Sequence, residues 1–183
     1  MSTDYAGRSP SELVEGTHRS TQERHLARYV FAALRVVLGF TFLWAFLDKV
    51  FGFGYATPSA KSWLNGGSPT KGFLSGAEGP FAGFYHAIAG DVWVNWLFML
   101  ALLGLGVALT LGIGMRVAAV SGAILYLMMW AVALPPETNP IVDDHIIGAL
   151  AVIALALVHA GDTVGLGRWW KQQPIVQQNR WLI

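Results

Sequence analysis

Four stretches of this chain are too continuously apolar to be wrapped in water. They run from Tyr29 to Phe51, Val92 to Leu111, Val117 to Leu134 and Ile141 to His159. A hydrocarbon layer about 30 Å thick is crossed by about 20 apolar residues in a helix. No water is available there, so each run must close its own backbone hydrogen bonds as a helix. A membrane barrel would show alternating segments of about ten residues, not continuous runs. A soluble helical core would need polar faces, which the four runs lack. Composition agrees. Of 183 residues, 54% are hydrophobic and only 13% charged, against about 25% charged in an average soluble domain. This argues against a soluble enzyme and against disorder. A formal net charge of +1 offers no field for nucleic acid. The absence of cysteine removes disulfides, thiolate nucleophiles and cysteine-ligated metal sites.

The expected fold is therefore all-α: an integral membrane four-helix bundle with a long structured outer loop between helices one and two. Residues 1–28 read as a polar N-terminal tail, with a short interfacial helix from Ser20 to Arg28. Residues 29–160 read as the transmembrane domain, and 161–183 as a C-terminal tail. Arg8, Arg19, Arg24, Arg28, Arg116, Arg168, Lys171 and Arg180 fall on one side, while Lys61 and Lys71 fall on the other with Lys49 at the end of helix one. Positive charge collects in cytoplasmic loops. The expectation is a multi-pass protein of the plasma membrane with both termini cytoplasmic. Gly104, Ala108 and Gly112, spaced by four, and Ala118 and Gly122 at the same spacing, predict close helix approach in lipid. Trp93, Trp96, Trp130, Trp169 and Trp170 sit where interfacial aromatic belts are expected. In the outer loop, Phe81, Phe84, Tyr85 and Ile88 fall at spacings of three and four and form one apolar stripe.

Ionisable groups inside spanning segments are costly and mark function by default. Arg35 lies in the cytoplasmic half of the first run, where snorkelling to phosphates competes with a functional role. Asp48 and Lys49 lie near its outer end, roughly 20 Å from Arg35 along the axis. Asp143, Asp144 and His145 open the fourth run. Asn139 as N-cap with Pro140 at the first helical position accounts for part of this polarity. Two carboxylates and an imidazole exceed what capping needs. A cation, carboxylates and a histidine beside a lipid-accessible aromatic wall suit a quinone head and proton transfer. Haem is the weaker redox reading. His145 and His159, fourteen apart on one helix, cannot share one, which leaves His86 with His145 or His25 with His159. No zinc spacing, phosphate-binding glycine loop or serine-elbow motif is present.

Several pieces, in order, resemble the DoxX/DoxD family of four-helix membrane proteins. They are Arg35-Val-Val-Leu-Gly39-Phe with Trp44 and Lys49; Asn65 to Leu74; Leu111-Gly112-Ile113-Gly114-Met115-Arg116; Asn139-Pro140 with Asp144-His145; and Gly165-Leu166-Gly167-Arg168-Trp169-Trp170. The resemblance covers about Arg28 to Trp170. It implies a membrane subunit of a quinone-linked oxidoreductase that oxidises thiosulfate or a related sulfur compound, with quinone as substrate and a second subunit or redox partner. Homo-oligomerisation stays open. The alternative is a non-catalytic membrane anchor that recruits a redox partner. Asp143 and Asp144 differ by about 100° around a helix, and the family-like pattern favours Asp144. The expected catalytic set is Lys49, Asp144 and His145 in one outer pocket. The candidate substrate-binding residues are Trp44, Trp63, Lys71 and Arg35.

Overall fold

The computed structural model describes residues 10–137 and 139–183, with side chains from residue 21 onward. Its elements are α1 (Pro10–Phe51), α2 (Lys71–Ser75), α3 (Ala82–Ala87), α4 (Val92–Leu111), α5 (Met115–Val132), α6 (Asp144–Leu157), α7 (Gly167–Trp170) and α8 (Pro174–Gln178), with short 3-10 turns between them and no strand among the described residues. Three helices are long and apolar enough to cross a membrane: the Thr21–Phe51 part of α1, α4 and α5.

The helix α1 runs unbroken through the expected tail boundary at residue 28 and reaches back to Pro10. Residues 20–28 are part of it and not a separate interfacial helix. Its 42 residues span about 63 Å, twice the hydrocarbon thickness. Residues 21–30 are all exposed, with Arg24, Ala27 and Arg28 bordering an open cavity against the turn after α6.

The fourth apolar run is helical over only fourteen residues, about 21 Å. Asn139 does not cap it. Its Oδ1 accepts from the N–H groups of Ile141 and Val142, both at 3.0 Å, a side-chain turn that holds these two residues outside the helix. Asp143 then takes the N-cap position, accepting from the N–H groups of His145 and Ile146 at 3.0 and 3.3 Å. At the other end His159 adopts a left-handed conformation, φ 53°, which no helix can continue.

Core residues come from all four long elements. Phe42 of α1, Met99, Leu102, Leu105 and Leu109 of α4, Met115 and Ala118 of α5, and Val152 and Leu155 of α6 form one buried cluster with Ala160. Outward faces are apolar too: Val37 and Phe40, Leu97 and Leu100, Val120 and Ile124, and Ile147 and Leu150 are all exposed. An exposed apolar band of this size around an apolar core belongs in lipid.

Helix α4 passes to α5 through Gly112-Ile113-Gly114, with Gly112 at φ 75° and Gly114 at φ 58°. The spacing rule is only half right about close approach. Gly104 has nothing near it, whereas a Cβ on Gly106 would lie 2.8 Å from the Leu43 backbone, and one on Gly39 would lie 2.6 Å from the Thr110 backbone. The α1–α4 contact is made through this second pair. On α5, Ala118 and Gly122 are both buried, with Gly122 facing Leu105 and Val152.

Residues 52–91 pack on the end of the bundle formed by the start of α4 and the end of α5. Leu74, Ala77 and Tyr85 cluster with Val132, joined by Ile88 and Val94. Buried Asn95 of α4 fastens the segment. Its Oδ1 accepts from the hydroxyls of Ser68 (2.9 Å) and Thr70 (2.7 Å) and from the Thr70 N–H (3.2 Å), while its Nδ2 donates to Gly90 O. The aromatic stripe divides. Tyr85 and Ile88 face inward, while Phe81 and Phe84 stay exposed.

Candidate functional site

Two polar centres sit at opposite ends of the helices. At one end, Arg35 of α1 enters the C-terminus of α4. A helix leaves its last four carbonyls without internal partners, and here all four are taken. Ala108 O accepts from Gly112 N and Ile113 N. Leu109 O and Thr110 O accept from Arg35 Nη1, the latter at 2.9 Å. Leu111 O accepts from Leu166 N at 2.8 Å. Arg35 Nη2 donates to Val164 O at 2.7 Å, and Val164 itself sits at φ 50°, a costly conformation for a β-branched residue. The cation meets the negative end of the α4 dipole. Glycine is required around it: a Cβ on Gly112 or Gly165 would come within 3.0 Å of the two guanidinium nitrogens. Arg35 is fully buried. It neither snorkels nor faces the expected outer pocket. It ties α1, α4 and the 164–167 turn together.

At the other end, α6 begins with Asp143 and His145. The two sit two residues apart, which is the spacing that lets an N-cap side chain meet one in the first turn. His145 Nδ1 lies 2.6 Å from Asp143 Oδ2, with side chains 23% and 16% exposed. A carboxylate only accepts, so Nδ1 carries the proton, and in the neutral ring Nε2 is left as the base. The ring of Tyr126 from α5 stands 6.3 Å from the His145 ring, edge-on, and 5.2 Å from Phe42 of α1. Gly148, one turn into α6, makes room for Tyr126: a Cβ there would lie 2.5 Å from the tyrosine Cζ. Three helices thus meet through Phe42, Tyr126 and His145.

The other candidate residues are placed as follows. Asp144 is exposed in the first turn of α6, and it is Asp143, the residue set aside, that holds His145. Lys49 lies over the Phe98 ring, 5.9 Å from its centre. No hydrogen bond or ion pair joins Lys49 to Asp144 or His145 among the described residues. Its neighbour Asp48 is buried and accepts from Ala56 N at 3.0 Å, pinning the turn after α1. Trp44 stacks on Phe40 and Phe53 and meets Tyr55 edge-on. Trp63 meets Trp96 edge-on at 4.7 Å. Lys71 is exposed at the start of α2. His86 contacts Ala77 O at 2.9 Å. Among the described residues no three His, Asp or Glu side chains converge as metal ligands.

Sequence reasoning set Asp143 aside and missed Tyr126 and Gly148. The Asp-x-His spacing across a helix start was a usable signal for the first. Tyr126 and Gly148 carry no local signal, since their relation exists only between helices. In comparison with known proteins, the chain matches no family model, no curated protein and no solved structure.

Proposed function

We propose that this chain is a membrane subunit of a quinone-linked oxidoreductase, with His145 as the proton-exchanging group. The observation that carries this reading is the Asp143–His145–Tyr126 arrangement at the mouth of apolar helices. A histidine oriented by a carboxylate, with its second nitrogen free, suits general acid–base work. The half-buried ring of Tyr126 beside it, backed by Phe42 from the core, suits a flat ring. Reduction of a quinone to a quinol takes two electrons and two protons. With thiosulfate as donor, two anions join through one new sulfur–sulfur bond, give tetrathionate and release the two electrons. His145 takes a proton at Nε2 from water at the exposed start of α6, passes it to a quinone oxygen, and repeats the transfer for the second proton. The resemblance to the DoxX/DoxD pattern supports the sulfur donor and a second subunit.

In this reading α6, with Ile141 and Val142 before it and the turn to Asp162 after it, is a short fourth span of a four-helix bundle. The basic end, with Arg24, Arg28, Arg116, Arg168 and Lys171, lies in the cytoplasm by the positive-inside tendency. Residues 52–91 form the outer loop of a plasma-membrane protein.

The non-catalytic anchor remains the second reading. It is favoured by Arg35, whose Nη1 and Nη2 donate to backbone carbonyls, and by Lys49, which sits over Phe98 and not beside His145. The test is turnover of a ubiquinone or menaquinone analogue with thiosulfate by the protein in vesicles. The redox reading expects reduction that His145→Ala abolishes and Lys49→Ala leaves largely intact. No reduction in either protein, with a second subunit still recruited to the vesicles, supports the anchor.

A further inference from the structure

The face of α1 that leads away from the bundle carries an unexplained pair of cations. Arg24 and Arg28 are four residues apart, hence on one face, about one turn from each other. Like charges at this spacing destabilise a helix. Neither forms an ion pair among the described residues. Both line an open cavity of about 200 Å³, whose other walls include Phe31 of α1 and Val158, Ala160 and Thr163 from the turn after α6. No acidic side chain lines it. The cavity therefore has two arginines and Phe31 on the α1 side, and Val158, Ala160 and the Thr163 hydroxyl on the other.

Its level in the fold is informative. The apolar run of α1 starts at Tyr29, one residue beyond Arg28, so the arginines stand where lipid phosphates lie. Above the cavity α1 meets α6 far less than it meets α4. Helical spacing carries the Phe31 face on to Leu34 and Leu38, and the Val158 face back to Ala154 and Ala151. Alanines on the α6 side leave an apolar seam leading up from the charged mouth.

We propose that this cavity binds the phosphate of an anionic phospholipid, with one acyl chain in the α1–α6 seam. Guanidinium groups fork onto phosphate oxygens, and basic pockets between helices on the cytoplasmic side suit acidic headgroups. The bound anion also relieves the Arg24–Arg28 repulsion. A soluble phosphate would satisfy the arginines but not the seam. The proposal rests on the chain lying in a membrane and is independent of quinone chemistry.

Native mass spectrometry of the full chain in detergent tests it. Phosphatidylglycerol, phosphatidylcholine and inorganic phosphate are titrated separately. One phosphatidylglycerol should bind, and phosphatidylcholine should bind about tenfold more weakly. The Arg24→Gln/Arg28→Gln pair should weaken phosphatidylglycerol by about tenfold or more without lowering the temperature of thermal unfolding, since both arginines are exposed and their mutual repulsion is removed. Arg168→Gln/Arg180→Gln removes the same charge elsewhere and should leave binding unchanged. Equal binding of the two lipids, equal loss in the control pair, or unchanged binding in the Arg24/Arg28 pair would overturn the proposal. Displacement of the lipid by inorganic phosphate at comparable concentration would overturn its lipid part, leaving a site for a soluble anion.

Discussion

Replacing Arg35 by methionine keeps most of the stem and removes the guanidinium. Three carbonyls, those of Leu109, Thr110 and Val164, then lose their donor. A buried acceptor left unpaired costs about 1–3 kcal/mol. Two of the three end α4 and can tighten into alternative turn bonds, and the cation no longer has to be held out of water. A net loss of about 3 kcal/mol is expected, which in a chain of this size lowers the melting temperature by about 6–12 °C. Arg35→Lys should lose nearly as much, because one ammonium cannot reach both the end of α4 and Val164 O. Fluorescence of the eight tryptophans during thermal unfolding in a mild detergent reads the effect. A variant within about 0.5 kcal/mol of the native protein, the usual range for a surface change, would refute the reasoning and return Arg35 to a snorkelling role.

Gly148→Ala should destabilise by about 1–3 kcal/mol through overpacking against Tyr126, whereas Gly104→Ala, with open space around it, should be neutral or stabilising in the same unfolding assay. Asp143→Asn keeps the cap but loses the carboxylate bond to the His145 ring, so it should cost about 0.5–1 kcal/mol in the same assay; a loss as large as that of Asp143→Ala, which removes the cap as well, would contradict this. Cysteines at Ser75 and Gln172, introduced into a chain that has none, should react with an impermeant maleimide from opposite sides of the membrane. Labelling of both from one side would refute the proposed orientation.

What could be read from the chain alone follows from the range of the forces involved. The bounds of α4 and the end of α1 were legible because hydropathy changes abruptly there: Asp91 precedes Val92, and Gly112 and Gly52 follow Leu111 and Phe51. The start of α6 was not, because Asn139, Asp143 and Asp144 are all competent to cap and only the turn around Asn139 decides between them. Gly104 was chosen over Gly106 because the small-residue rule gives spacing but not facing, which depends on where Leu43 lies. The same limit governs the site. His145 was legible as a costly polar group in an apolar run, but its partner Asp143 and its neighbour Tyr126 follow from capping geometry and interhelical contact. Arg35 was legible as a costly group and misread as to use, because the carbonyls it satisfies lie 74 and 75 residues further along the chain.

The central claim, that a quinone ring meets His145 beside Tyr126, is tested most directly by photo-crosslinking. A photoreactive quinone analogue is bound to the protein in vesicles, illuminated and mapped by peptide mass spectrometry. The account predicts label on Tyr126 and on the peptide spanning Asp143 to Gly148, displaced by excess native quinone and much reduced in His145→Ala. Label confined to the opposite end, around His159 and Trp170, or label on α6 that excess quinone fails to displace, would contradict it.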